Sequence, residues 1–148
     1  MLVNMDTHLF FLFVLILYVC INVIMEPLII KPTNRTPKVE LDPANGKFEI
    51  SGKSFPENLF EFYNPILDWF QEYANNPHPK TKLSVRFIYY NSASYKMFLN
   101  VLKILSGIYT NGNEVTVYWY HEKRDVDLFN AGKYYAKIVN IPFEFVSY

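Results

Sequence analysis

Segments whose apolar residues recur every second position alternate along this chain with segments whose apolar residues recur every three or four. That alternation leaves few architectures open. Pro37-Lys-Val-Glu-Leu41 and Lys47-Phe-Glu-Ile-Ser51 read as strands, joined by Asp42-Pro-Ala-Asn-Gly46. The pair predicts a β-hairpin whose Gly46 takes positive φ. Ser54-Phe-Pro-Glu57 fits a capping box, with Ser54 as N-cap, Pro56 in the first turn and Glu57 at N3. The helix it opens carries Leu59, Phe62, Ile66, Trp69, Phe70 and Tyr73 on one face, and Asn75-Asn-Pro-His-Pro79 ends it.

Lys82 to Tyr90 follows as a strand with Leu83, Val85, Phe87 and Tyr89 on one face and Ile88 on the other. Apolar residues on both faces predict a sheet covered on both sides. Met97, Val101, Leu102, Leu105 and Ile108 define a second helix, closed by Asn111-Gly112. Glu114 to Tyr120 is the next strand, Val126 to Val139 a third helix whose propensity Gly132 interrupts, and Pro142 to Val146 the last strand. Strand–helix–strand alternation needs crossover connections, so the later strands should run parallel. The expectation is a single α/β domain in the order β-β-α-β-α-β-α-β, a mixed sheet flanked by helices.

The N-terminus breaks the pattern. Leu9 to Met25 is seventeen residues without a formal charge, Asn22 being its one amide. As a helix it would reach about 26 Å, slightly short of a ~30 Å hydrocarbon core. The chain therefore divides into an apolar extension, residues 1–24, and a domain, residues 25–148. A cleaved signal peptide fits badly: no Lys or Arg precedes Lys31, and no small-x-small pair follows the run. Cys20 lacks the small residue expected before a lipidated cysteine. Three readings of the extension stand: a membrane anchor, a flexible apolar extension, or upstream sequence read from a start before Met25. Were it an anchor, Lys31, Arg35 and Lys38 on its C-terminal side would keep the domain in the cytoplasm, at the inner membrane. The reading with a start at Met25 places the domain in the same compartment.

Charge and composition narrow the chemistry. Among 148 residues, fourteen Lys and Arg balance fourteen Asp and Glu. The twelve Tyr and thirteen Phe have no basic cluster beside them, which argues against nucleic acid. One Cys and three scattered His (His8, His78, His121) give neither a disulfide framework nor a metal-ligand spacing, so neither a metal nor another cofactor is expected. No GxGxxG, GxxxxGK[ST], HExxH or G-x-S-x-G motif occurs. His121 ends a strand, where catalytic residues of parallel sheets often lie. A small hydrolase using His121 with an acidic residue is thus the weakest of three functional readings.

The informative stretch is Tyr89-Tyr-Asn-Ser-Ala-Ser-Tyr-Lys96, where a strand turns into the second helix. Asn91 or Ser92 serves as an ordinary N-cap there. A helix start also offers unsatisfied N–H groups and a partial positive charge, and Lys96 adds a cation one turn on. A phosphoryl group would be stabilised at this position and would change how a near-neutral surface meets a partner.

Ser54-Phe-Pro-Glu-Asn58, Tyr90-Asn-Ser-Ala-Ser-Tyr-Lys96, Gly112-Asn-Glu-Val-Thr-Val-Tyr-Trp-Tyr120 and Ile141-Pro-Phe143 occur in order, after Thr36-Pro37. Together they resemble the SiaC family of bacterial regulatory phosphoproteins, over essentially Met25 to Tyr148. The resemblance stops at the apolar leader. It implies a fold like that of STAS anti-sigma-factor antagonists and a non-enzymatic role in cyclic-di-GMP signalling and biofilm regulation. In that role the unmodified protein binds and activates a diguanylate cyclase. A cognate Ser/Thr protein kinase switches this off by phosphorylating a Thr in the family's Asn-Thr-Ser-Ser motif, and a PP2C-type phosphatase restores it. Here the acceptor position is Ser92, after Asn91, with Ala93 removing one neighbouring hydroxyl; Ser94 is the second choice. The alternative implied by the fold is a partner-switching antagonist that sequesters an anti-sigma or serine-kinase partner.

Overall fold

The computed structural model describes residues 6–21 and 25–148; Asn22, noted above, lies outside the described residues. The elements in chain order are α1 (Thr7–Ile21), β1 (Leu28–Ile30), β2 (Lys38–Asp42), β3 (Lys47–Ser54), α2 (Leu59–Tyr73), β4 (Lys80–Tyr90), α3 (Ser92–Thr110), β5 (Glu114–His121), α4 (Val126–Val139) and β6 (Phe143–Ser147). The expected order is present. Two elements are added to it: the helix α1 and the short strand β1, whose three residues hold their place by antiparallel pairing with β2.

The six strands lie in the sheet in the order in which they occur in the chain. β1, β2 and β3 pair antiparallel, and β3 to β6 pair parallel. The hairpin turns at Gly46, whose φ is +63° and whose N–H donates to the Pro43 carbonyl at 3.0 Å. Each crossover adds its new strand on the same side of the last. Because such crossovers are right-handed, α2, α3 and α4 all fall on one face of the sheet.

That geometry corrects the expectation of a sheet covered on both sides. Val39, Leu41, Phe48, Ile50, Leu83, Val85, Phe87, Val115, Val117 and Trp119 point into a single core beneath the helices. The opposite face carries Lys38, Glu40, Glu49, Lys82, Arg86, Tyr118 and Tyr120, all half-buried or exposed. Lys38 bridges Glu40 and Glu49 there at 2.8 and 3.3 Å. The Arg86 guanidinium stands 4.7 Å from the Tyr120 ring and 4.8 Å from the Tyr148 ring. Ile88, which prompted the two-sided reading, is 61% exposed.

The helix α2 starts later than the capping box predicts. Asn58 is its N-cap, accepting from the Glu61 N–H, and Ser54 is the last residue of β3. Glu57, assigned above to N3, instead pairs with Arg35 at 2.6 Å outside the helix. In α1, Leu9 to Leu17 are exposed on every side. No helix among the described residues is long and apolar enough to cross a membrane.

Candidate functional site: the start of α3

The C-terminal ends of β3, β4 and β5 form one rim, and the N-termini of α2, α3 and α4 all open onto it. This is where open α/β sheets usually place their functional groups. β4 reaches the rim through a break in register. Gly52 pairs with Phe87 and Lys53 with Tyr89, so Ile88 is an extra residue on β4. Such a bulge turns the following side chains. Tyr89, expected on the face of Phe87, is 54% exposed and meets Phe55 edge-on at 5.6 Å. Tyr90 turns inward and packs on Phe87 at 5.0 Å.

The bulge delivers Asn91 to the cap of α3. Its backbone is extended, its Oδ1 accepts from the Ser94 N–H at 2.8 Å, and its own N–H donates to the Ser54 carbonyl at 3.1 Å. Of the two residues that could cap this helix, Asn91 does so. Ser92 is the first helical residue and is exposed, with its hydroxyl free of capping duty. Lys96, one turn on, is also exposed and makes no ion pair among the described residues.

Ser94 has a different environment. It is fully buried, and its Oγ accepts from the Ser54 Oγ at 2.9 Å. Ser54 is likewise fully buried and lies 2.6 Å from the Tyr63 Oη. A serine has one hydroxyl proton, so with Ser54 donating to Ser94, Tyr63 donates to Ser54. Burial pushes the Tyr63 phenol up from its ordinary pKa and keeps it a proton donor. The chain Tyr63–Ser54–Ser94 thereby ties α2, the end of β3 and the first turn of α3 together.

Neither Ser54 nor Tyr63 was singled out from the sequence as part of the site. The signal for Ser54 was its parity: it continues the inward positions Phe48 and Ile50 on β3. Beneath Ser92 a stack of tyrosines completes the rim, with Tyr95 lying 6.1 Å from Tyr90 and 4.5 Å from Tyr135. The Tyr135 hydroxyl donates to the Tyr95 carbonyl at 3.0 Å, joining α4 to α3.

His121 ends β5 as expected, with 8% of its surface exposed. Its Nδ1 lies 2.9 Å from the Glu122 carbonyl, and its ring packs on Phe129 at 5.0 Å. It shares an open cleft of ≈ 360 Å³ with Asp125 and Ser147. Asp125 is committed to capping α4 through the Leu128 N–H at 2.8 Å. No hydrogen bond joins His121 to Asp125 or Ser147, so the relay of nucleophile, base and orienting group that acyl transfer uses is not assembled. No cluster of His, Cys, Asp and Glu suited to a metal ion occurs among the described residues.

The chain is thus a small α/β domain whose sheet is wound in one direction, with an accessible hydroxyl at a capped helix start on its rim. Residues 30–148 match the SiaC family of regulatory phosphoproteins, and the chain belongs to that family. An uncharacterized protein of Pseudomonas aeruginosa strain UCBPP-PA14 is 25% identical over 119 residues, spanning 80% of this chain and 94% of its own length. The crystal structure of apo-SiaC from Pseudomonas aeruginosa is similar with a TM-score of 0.76 at 25% identity, covering 82% of this chain and 99% of that one. A second similar structure, from the same organism, is the diguanylate cyclase SiaD in complex with its activator SiaC. Its TM-score is 0.77 at 24% identity, with 82% of this chain and 99% of that one covered.

Proposed function

We propose that this chain is a non-enzymatic bacterial regulator that binds and activates a diguanylate cyclase while Ser92 is unmodified. A cognate Ser/Thr kinase switches it off by phosphorylating Ser92, and a PP2C-type phosphatase reverses the change. The domain works in the cytoplasm, where the nucleotide substrates of the cyclase and the kinase are found. Family membership supports the reading, as does the solved complex in which SiaC is the activator of SiaD.

The observation that carries it is the division of labour at the start of α3. Asn91 caps the helix, Ser94 is sealed inside, and Ser92 alone of the three polar residues presents an unengaged hydroxyl to solvent. A phosphoryl group there adds about −1.5 to −2 charges at neutral pH. The helix N-terminus favours an anion by roughly 0.3–1 kcal/mol, and Lys96 at i+4 adds a smaller term. The fold accommodates the modification, which is then read at the surface.

Two measurements test the reading. Intact-mass analysis after incubation with the organism's kinase should show one added phosphate in the wild type and in Ser94→Ala, and none in Ser92→Ala. Cyclic-di-GMP synthesis by the organism's GGDEF-type cyclase should rise with the wild-type chain and stay basal with Ser92→Asp. A Ser92→Asp chain that activates at wild-type strength would overturn the switch.

A further inference from the structure

We infer that the groove between α3 and α4 receives an acidic amphipathic helix of the cyclase, with Ser92 at one end of that groove. The inference rests on the proposed function for the identity of the partner and adds which face holds it and why modification releases it.

The two helices lie side by side on one face of the sheet. Near the start of α3 the Tyr95 and Tyr135 rings stack at 4.5 Å, and the Tyr135 hydroxyl donates to the Tyr95 carbonyl. Toward the other end the Ser106 hydroxyl donates to the Val139 carbonyl at 2.7 Å. From Tyr95 to Ser106 the helices therefore run together over about 16 Å. Above this seam Tyr134 stands 6.4 Å from Tyr95 and is 58% exposed. Ile138, one turn further along the same side of α4, is also exposed, and Leu99, one turn beyond Tyr95, is half-buried. The floor of the groove is apolar and open to solvent. Its backbone N–H and C=O groups are used within the two helices, so it offers side chains and no strand edge; a third helix fits that shape.

Charge identifies the occupant. α3 contains no Asp or Glu. Lys96 and Lys103 continue the exposed side of α3 that Ser92 begins, one turn and three turns on. Lys137, beside Ile138, stands on the α4 wall, and Lys133 lies over the Phe129 ring at 5.3 Å on the far side of α4. These lysines are all exposed, and none is in an ion pair among the described residues. Asp127, the one acid inside the two helices, sits in the first turn of α4, where the helix N-terminus favours it. In the preceding loop Lys123 and Arg124 outnumber Glu122, and Asp125 is the cap of α4. The third helix of the layer, α2, has the opposite sign: Glu61, Asp68 and Glu72 with no Lys or Arg. A chain of zero net charge thus gathers positive charge along α3 and α4, and complementarity calls for carboxylates on the helix received there. This arrangement also gives the direction of the switch. A phosphoryl group on Ser92 would neutralise Lys96 and repel those carboxylates at the end of the groove, so modification lowers affinity.

The test uses the full-length unphosphorylated chain and the organism's GGDEF-type cyclase, with affinity read by calorimetry and activation by cyclic-di-GMP synthesis. Ile138→Asp should weaken binding by roughly tenfold or more and abolish activation, while its melting temperature stays within a few degrees of wild type. The Lys96→Glu, Lys103→Glu double variant should weaken binding about tenfold at low salt, and the wild-type affinity should fall as salt rises. Lys53→Glu, Lys82→Glu makes the same change of charge on the helix-free face of the sheet and should leave binding unchanged. An Ile138→Asp chain that binds as the wild type does, or an equal loss from the Lys53→Glu, Lys82→Glu chain, would overturn the groove while leaving the cyclase assignment intact. So would a chain that pairs with a second copy of itself, becomes monomeric on Ile138→Asp and still activates. A wild-type chain that fails to bind the cyclase sinks the proposed function and this groove with it.

Discussion

Ser54 and Ser94 lie forty residues apart in the chain and share a buried hydrogen bond. Their contact decides which hydroxyl near the start of α3 is available to another protein. Ser54→Ala strands the Tyr63 hydroxyl and the Ser94 hydroxyl in the interior, and each unsatisfied buried polar group costs about 1–3 kcal/mol. Urea unfolding of Ser54→Ala should show a midpoint lowered accordingly with an unchanged slope; a surface cap, the role the sequence pattern suggested, would cost less. The tetrapeptide Ser54-Phe-Pro-Glu57 matches a capping box residue for residue, yet the helix is capped four residues later, at Asn58. Local pattern alone cannot separate a serine that ends a strand from one that starts a helix. The inward parity of β3 does separate them, because Phe48, Ile50 and Ser54 share a face. At α3 the sequence left Asn91 and Ser92 as equal candidates for the cap, since both side chains can accept from a helix N–H. Only the observed 2.8 Å bond to the Ser94 N–H assigns the role to Asn91 and frees Ser92.

At the scale of elements, helix α4 shows why a residue of poor propensity persists in a helix. Gly132 is buried, and a Cβ there would lie 2.6 Å from the Trp119 ring and 2.9 Å from the Phe145 ring. The same indole donates from Nε1 to the Leu128 carbonyl at 3.0 Å, so α4 is drawn onto β5 where a larger residue would hold it off. Gly132→Ala gains about 1 kcal/mol of helix propensity but must displace two aromatic rings from a close-packed core, an overpacking cost of typically 1–3 kcal/mol. The variant should melt lower than wild type, with the largest chemical-shift changes at Trp119 and Phe145; a higher melting temperature would show that α4 can move outward freely. From sequence the glycine was visible only as an interruption. The strand and helix order was legible because each segment keeps its period over its whole length. The sidedness of the sheet was not, because the bulge puts Ile88 and Tyr89 out of phase with Leu83, Val85 and Phe87, and a run of apolar residues in the wrong phase imitates a strand buried on both faces.

Across the whole molecule, tyrosines carry much of the packing between helices and sheet, and they make its stability sensitive to alkali. Burial pushes the Tyr90 phenol up to about 12 and raises Tyr63 and Tyr135 as well. In the unfolded chain the same phenols lose their protons near ~10. Between about pH 10 and 12 the unfolded state therefore binds fewer protons than the folded one, so stability is full below that window and falls as pH rises through it. Melting temperature should be level from neutral pH to about 9 and drop steadily above 10, less steeply in Tyr90→Phe. A profile flat to about pH 11 would show that the rim opens before these groups titrate. The winding of the sheet has a further consequence. A strand order that never reverses leaves no crevice between diverging helices, where doubly wound sheets hold small molecules. In the proposed function the signal accordingly reaches the fold as an alteration written on its exterior, at Ser92, and is felt by the macromolecule that touches that spot.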